Sequence, residues 1–183
     1  MSFRRPTQPR LAPDPAAVVT AREHMKTLPH NAVNVRATMA HHPLIAKAVG
    51  GLAGAVLTEF ATPRRQRELI ILRMGWNCTC EYEFGQHTMY GMAHGVTAAE
   101  VAAVTRPLGA HAWSNEDLLL LEMTDELYTD DGVSDATWER LTKTWSTTEV
   151  MEFVISALTY RTVSGFLNTF GVELDEGVPG WPA

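Results

Sequence analysis

Helix-start signals recur along the whole chain. Asp14-Pro15 reads as an N-cap followed by a first-turn proline, and opens a helix to about Thr27. Thr62-Pro63 repeats the pair, and Pro43 opens a further stretch to Leu57. Thr97 with Glu100, and Ser146 with Glu149, have the spacing of a capping box, in which side chain and backbone satisfy each other's free groups. Ser114 before Asp117, and Ser134 before Trp138 and Leu141, add two more caps. Strict alternation of apolar and polar residues, the mark of a half-buried strand, is not evident, nor is a repeat of fixed period. This punctuation predicts an all-α chain of about eight helices.

The expected organisation is an N-terminal arm over 1–13, one domain over 14–175 and a tail over 176–183. Glycine and proline around Trp181 place that tail on the surface. Gly50, Gly51 and Gly54 predict close helix packing or a kink within the helix that Pro43 opens. The helix after Pro63 is apolar nearly all round at Leu69, Ile70, Ile71, Leu72 and Met74, so it is expected to be buried. The last helix, from Ser146 to about Asn168, has more apolar surface than one seam needs. It is either the central core helix or part of a subunit interface.

At 183 residues the chain suffices for one domain with a sizeable core. Its 15 basic and 21 acidic side chains give a net charge of −6, which argues against nucleic acid or an anionic membrane as the main partner. An anionic small molecule stays possible, because one or two local arginines can hold it. Cys78 and Cys80 are the only cysteines; they cannot build a disulfide framework and suit a reducing, cytoplasmic setting. No run resembles a secretory leader or a membrane-spanning helix.

Chemistry concentrates in ELIILRMGWNCTCEYEFGQH, from Glu68 to His87. Cys80, Glu83 and His87 are spaced i, i+3, i+7, which puts a thiol, a carboxylate and an imidazole on one helical stripe. Burial can bring each to proton exchange near neutral pH. Cys80 falls at a helix start, where the dipole favours a thiolate. Glu68 sits in the buried helix and needs a partner, with Arg64 and Arg65 within reach along its own helix. Each of the four has a plain structural reading too: a core thiol, a surface Glu–His pair, an ion-paired carboxylate. The coincidence of all four is what raises the functional reading. No second histidine completes a HExxH-type set, so no metal is expected, and no phosphate loop or dinucleotide fingerprint is present.

These residues carry a resemblance. The run from Thr62 to Leu69, then Leu72-Arg73-Met74-Gly75-Trp76, then Glu81 to His87, is similar to the carboxymuconolactone decarboxylase family, within the all-helical AhpD superfamily of alkylhydroperoxidases. Gly95 to Glu100, Ser134 to Trp138, Tyr160-Arg161 and Gly165 to Asn168 support it, so the likeness spans roughly 30–175. It implies an AhpD-like fold and a homo-oligomer, a trimer or hexamer. The peroxidase branch uses a Cys-x-x-Cys-x-x-x-His helix and an upstream glutamate. Mapped here, Cys80 takes the first cysteine, His87 the histidine and Glu68 the glutamate, but Glu83 replaces the second cysteine. A two-cysteine redox cycle is thereby lost in its usual form. The decarboxylase branch implies cofactor-free chemistry on a small unsaturated lactone acid. The expected catalytic residues are His87 as acid/base, Glu83 orienting it and Glu68 completing a relay, with Cys80 as the nucleophile of the peroxidase branch. Arg73 or Arg161 would hold a substrate carboxylate, unless it serves instead as a buried ion-pair partner for Glu68 or another acid, and Tyr82 would line the pocket. Three readings follow: a cofactor-independent lyase or isomerase on a small organic acid or lactone, a thiol peroxidase on Cys80, and a non-catalytic oligomeric binding protein.

Overall fold

The computed structural model describes residues 6, 8–25 and 32–182. Among them are nine α-helices, one 3₁₀ turn at Leu108–Ala110 and no strand. The helices are α1 Pro15–Met25, α2 Val33–Met39, α3 Pro43–Thr58, α4 Arg64–Asn77, α5 Glu81–Ala93, α6 Ala98–Ala103, α7 Asn115–Asp130, α8 Asp135–Thr144 and α9 Thr147–Phe170. The all-α expectation holds, and most caps fall where the sequence placed them. Asp14 accepts the Ala17 N–H at 2.7 Å. Ser114 and Ser134 cap α7 and α8, and both capping boxes form. Gly95, at φ +93°, ends α5 in a conformation that other residues rarely adopt. The predicted continuation of α1 to Thr27 lies outside the described residues.

α4 is the hub. It packs on α5, α7 and α9, and Leu69 to Met74 lose essentially all contact with solvent apart from Arg73. Its start differs from expectation: Pro63 occupies the N-cap position without a side-chain bond. Thr62 instead ties the turn to α9 and α4, donating its N–H to Glu152 at 2.8 Å and accepting from Arg67 Nη1 at 3.1 Å. α9 is a core helix on one side, with Phe153, Ala157, Tyr160, Val163 and Leu167 buried, while Met151 and Ile155 face outward. Gly50, Gly51 and Gly54 do not serve close packing, because a Cβ at any of them would meet nothing within 4 Å.

Both ends of the described chain pack against the helices. Arg10 donates its N–H to Phe170 O at 2.9 Å, and Pro6 and Gln8 lie against Gly171, so the described part of the arm covers the end of α9. At the other end Asp175 and Val178 are buried, and Trp181 packs edge-on against Trp76 and beside Phe84, with ring centroids 5.4 and 5.0 Å apart. Gly85 makes this possible: a Cβ there would lie 2.1 Å from Pro179 O. The tail is a strap on α5 because α5 carries no side chain at that point.

Candidate active site

The α4–α5 turn sets the geometry. Cys78, Thr79 and Cys80 reverse the chain, with Thr79 in the left-handed region at φ +51°. Cys80 then occupies the N-cap of α5. α5 returns so close to α4 that a Cβ on Gly75 would meet Glu83 Cγ at 3.3 Å. This approach faces Glu83 and His87 of α5 toward Glu68 of α4.

The three form a chain of proton-exchanging groups. Glu68 Oε2 lies 2.6 Å from His87 Nδ1, and Glu68 Oε1 accepts from Arg64 Nε at 3.0 Å. On the other side of the ring, His87 Nε2 lies 3.3 Å from Glu83 Oε1, without hydrogen-bond alignment, and that oxygen has no other hydrogen-bond partner. All three residues are at least 96% buried. Burial raises the Glu68 carboxyl, but the His87 and Arg64 charges outweigh it and hold the group below its ordinary value. Burial pulls the His87 ring down, and the Glu68 carboxylate more than reverses this, so the ring stays protonated above its ordinary range. Glu83 is pushed up to about 7 by burial, against the pull of His87 and with some repulsion from Glu68. Near neutral pH the pair Glu83–His87 can therefore both give and take a proton.

Glu83 and His87 open on a cavity of about 240 Å³ between α2, α3, α5 and α9. At about 30 Å³ per water it has room for about eight waters, or one single-ring organic molecule. Val35, Met39, Val49, Leu57, Val163 and Leu167 give it apolar walls, and Gly50, Ala53 and Gly54 keep the α3 wall low. Tyr90 stacks on the His87 ring at 5.2 Å and Tyr160 meets it edge-on at 4.6 Å. Burial, first of all, holds the Tyr160 phenol well above its ordinary value, so it stays a neutral hydrogen-bond donor.

The other expected site residues are placed differently. Tyr82 does line the cavity, but its hydroxyl is engaged with Asp175 Oδ2 at 2.5 Å. Arg73 is spent on structure: Nε and Nη2 each donate to Asp125 at 2.7 Å, and Nη1 to Val104 O at 2.6 Å. Arg161 bonds Leu127 O at 2.8 Å and pairs with Asp131. Neither arginine borders the cavity, so the expected carboxylate hold falls to neither. Cys80 also lies outside the cavity lining and borders a separate cleft near the C-terminal strap. It is 1% exposed, and burial together with the Glu83 carboxylate pushes its thiol up to about 12. The expected helix-dipole thiolate is overturned by desolvation. Arg65, the other candidate partner of Glu68, turns instead to Asp117 at 2.9 Å and to Glu100. Sequence reasoning missed Tyr90 and Arg36, both lining the cavity. Tyr90 lies three residues after His87 on α5 and was open to detection, whereas nothing around Arg36 marked a helix. Among the described residues no cluster of histidine, cysteine and carboxylate side chains is arranged to hold a metal, and no helix is long and apolar enough to cross a membrane.

Residues 43–126 match the model of the carboxymuconolactone decarboxylase family. This segment, which holds Glu68, Glu83 and His87, belongs to the carboxymuconolactone decarboxylase family. No protein of curated function matches the whole sequence significantly. Beyond the family segment the likeness is one of fold. An alkylhydroperoxidase AhpD core protein, peroxidase-related and from Ralstonia eutropha JMP134, superposes with TM-score 0.77 at 15% identity, over 89% of this chain and 87% of its own. A peroxidase-related protein from Silicibacter sp. TM1040 gives 0.78 at 10%, over 95% and 93%. A variant of the debrominase Bmp8, in complex with 2,3,4-tribromopyrrole, gives 0.75 at 13%, over 93% and 94%. The helices added around the decarboxylase-family segment thus complete an AhpD-like fold.

Proposed function

We propose that this protein is a cofactor-independent acid/base enzyme, a decarboxylating lyase or an isomerase, acting on a small unsaturated organic acid or lactone. The observation that carries the reading is that Glu83 and His87 open on the cavity while Cys80 does not. In a decarboxylation, the bond from carbon to the carboxylate breaks and its electron pair passes into the conjugated lactone carbonyl. Carbon dioxide leaves, and the enolate collapses by taking a proton on carbon. The protonated His87 ring, or Glu83 in its neutral form, supplies that proton. Glu68 is a positioning residue. It holds Nδ1–H, so Nε2 is the nitrogen that faces the cavity side, and it stabilises the ring's charge. The neutral Tyr160 hydroxyl and the imidazolium are available to the developing oxyanion. An isomerisation uses the same parts, with Glu83 taking a proton from one carbon and returning it at another.

The scaffold's acceptance of a small ring fits the tribromopyrrole complex of the structurally similar debrominase. The thiol readings are less well supported. Glu83 stands where a second cysteine would be needed, and a buried thiol raised to about 12 is a poor nucleophile at neutral pH. The family and fold imply a homo-oligomer, and Leu44, Ile45 and Leu52 on α3 with Met151 and Ile155 on α9 offer apolar surface for one.

The test is a screen of unsaturated lactone carboxylates in deuterated water, reading carbon dioxide release and deuterium on carbon. We expect turnover in the wild type and a loss of at least about a hundredfold in His87→Gln, the usual scale for removing a general acid. Equal turnover in the two proteins would remove His87 from the mechanism.

A further inference from the structure

α2 has no capping side chain of its own. Ala32 stands at its N-cap, and the first N–H groups of a helix need partners from elsewhere. Two distant segments supply them. Asp175 Oδ1, from the C-terminal strap, accepts the Asn34 N–H at 3.0 Å. The Tyr82 hydroxyl, from α5, accepts the Val35 N–H at 3.2 Å while donating to Asp175 Oδ2. The Asn34 side chain donates back to Glu173 O at 3.0 Å, and Gln86 Nε2 also reaches Asp175 Oδ2 at 2.9 Å. The start of α2, one face of α5 and the strap are thus one hydrogen-bonded cluster.

The next residue along α2 is Arg36. It is exposed, and it lines the same cavity as Glu83 and His87. No other lysine or arginine among the described residues does so. Arg64, Arg65, Arg73 and Arg161 are each held by a carboxylate, and Arg67 by backbone carbonyls. Arg36 has no such partner among the described residues. Its charge acts on Tyr90, the ring stacked on His87. An unpaired guanidinium at the edge of an apolar cavity matches a ligand with an apolar ring and one carboxylate, since its fork accepts both carboxylate oxygens.

We infer that Arg36 holds the carboxylate of the ligand, and that Asp175 and Tyr82 position it by capping α2. The inference rests on the reading of this cavity as the reaction site, but it concerns binding and not chemistry. Arg36 and Asp175 both lie outside the family segment 43–126 and Tyr82 lies within it, so this hold joins that segment to the helix and strap around it.

The probes are 2-furoate and its uncharged analogue furfuryl alcohol, titrated at pH 7 against wild type, Arg36→Met, Arg36→Lys and Asp175→Asn. Binding is read from the ring-proton signals of His87 and Tyr90. The wild type is expected to prefer the anion by about tenfold, the factor that corresponds to one modest charged contact. Arg36→Met should erase that preference and leave the alcohol's affinity unchanged, with Arg36→Lys keeping part of it. Asp175→Asn should weaken the anion selectively. Equal affinities in the wild type, a preference retained in Arg36→Met, or no binding of either probe overturns the inference. Failure of the proposed chemistry would appear differently, as absent His87-dependent turnover with the anion preference intact.

Discussion

Replacing Glu68 by glutamine keeps the shape and removes one charge. In the wild type that charge accepts two charge-assisted bonds, from Arg64 Nε at 3.0 Å and toward His87 Nδ1 at 2.6 Å. Such bonds contribute about 1.5–3 kcal/mol each, and breaking a buried pair by removing one partner costs about 3–5 kcal/mol. Two reliefs reduce the loss here. His87 can shed its proton, and the partly exposed Arg64 keeps the Leu57 carbonyl and gains water. We expect destabilisation of about 3 kcal/mol near pH 6, or about 10 °C in Tm for a chain of this size. The pH window follows from the two shifts. Glu68, held below its ordinary 4.5, contributes stability that is present above that value and fades as pH falls through the folded value. His87, raised above its ordinary 6.5, contributes stability that is complete below that value and lost as pH rises through the folded value. The difference between wild type and Glu68→Gln should therefore be largest between about pH 4.5 and 6.5 and smaller at pH 9. Urea unfolding at both ends gives the energies, and the His87 ring signal gives the titration directly. Without Glu68 the ring loses the partner that most raises it and keeps the penalty of burial, so its midpoint should fall from the wild-type value. A midpoint equal to that of the wild type, or an unchanged unfolding energy at pH 6, would refute the pairing.

Glu83, raised from 4.5 to about 7, holds its proton in the folded chain while the unfolded chain has already lost it. Stability should fall by about 3 kcal/mol as pH rises from about 4.5 to 7, and Glu83→Gln should flatten that slope. The groups facing Glu83 that set this slope are Glu68 and His87, with Cys80 and Tyr160 answering to its charge. In native protein an aromatic disulfide reagent should leave Cys80 unmodified until the chain unfolds, as mass spectrometry would show; rapid labelling of Cys80 would restore the thiol readings. Gly85→Ala should drive the strap off α5, because its Cβ meets Pro179 O, at a cost of about 1–3 kcal/mol in denaturant and a change in Trp181 fluorescence. An unaltered melt would show that the strap is not seated there.

Local chemistry made most helices legible. Asp14, Thr97, Ser114, Ser134 and Ser146 bond their own first turns, so the signal and the structure lie within four residues of each other. α2 was invisible for the opposite reason: its caps come from Tyr82 and from Asp175, 141 residues beyond the Asn34 N–H it accepts. The Glu68–Glu83–His87 set was legible because two of its members share a helical stripe and the third needed a buried partner. Cys80 does stand at the start of α5, but as its N-cap it is buried and borders a different cleft from the one Glu83 and His87 face. The arginines show the remaining limit. A charge inside an apolar helix announces a partner without naming it, and Arg73 found Asp125, 52 residues away. Arg36 lay in the helix that could not be seen, so its place at the cavity was hidden too.

Carbon dioxide release from a panel of unsaturated lactone acids, compared side by side in wild type, His87→Gln and Cys80→Ser, separates acid/base chemistry on His87 from thiol chemistry on Cys80. Turnover should be abolished in His87→Gln and retained in Cys80→Ser. Turnover that survives without His87, or that disappears with the Cys80 thiol, would contradict the acid/base reading.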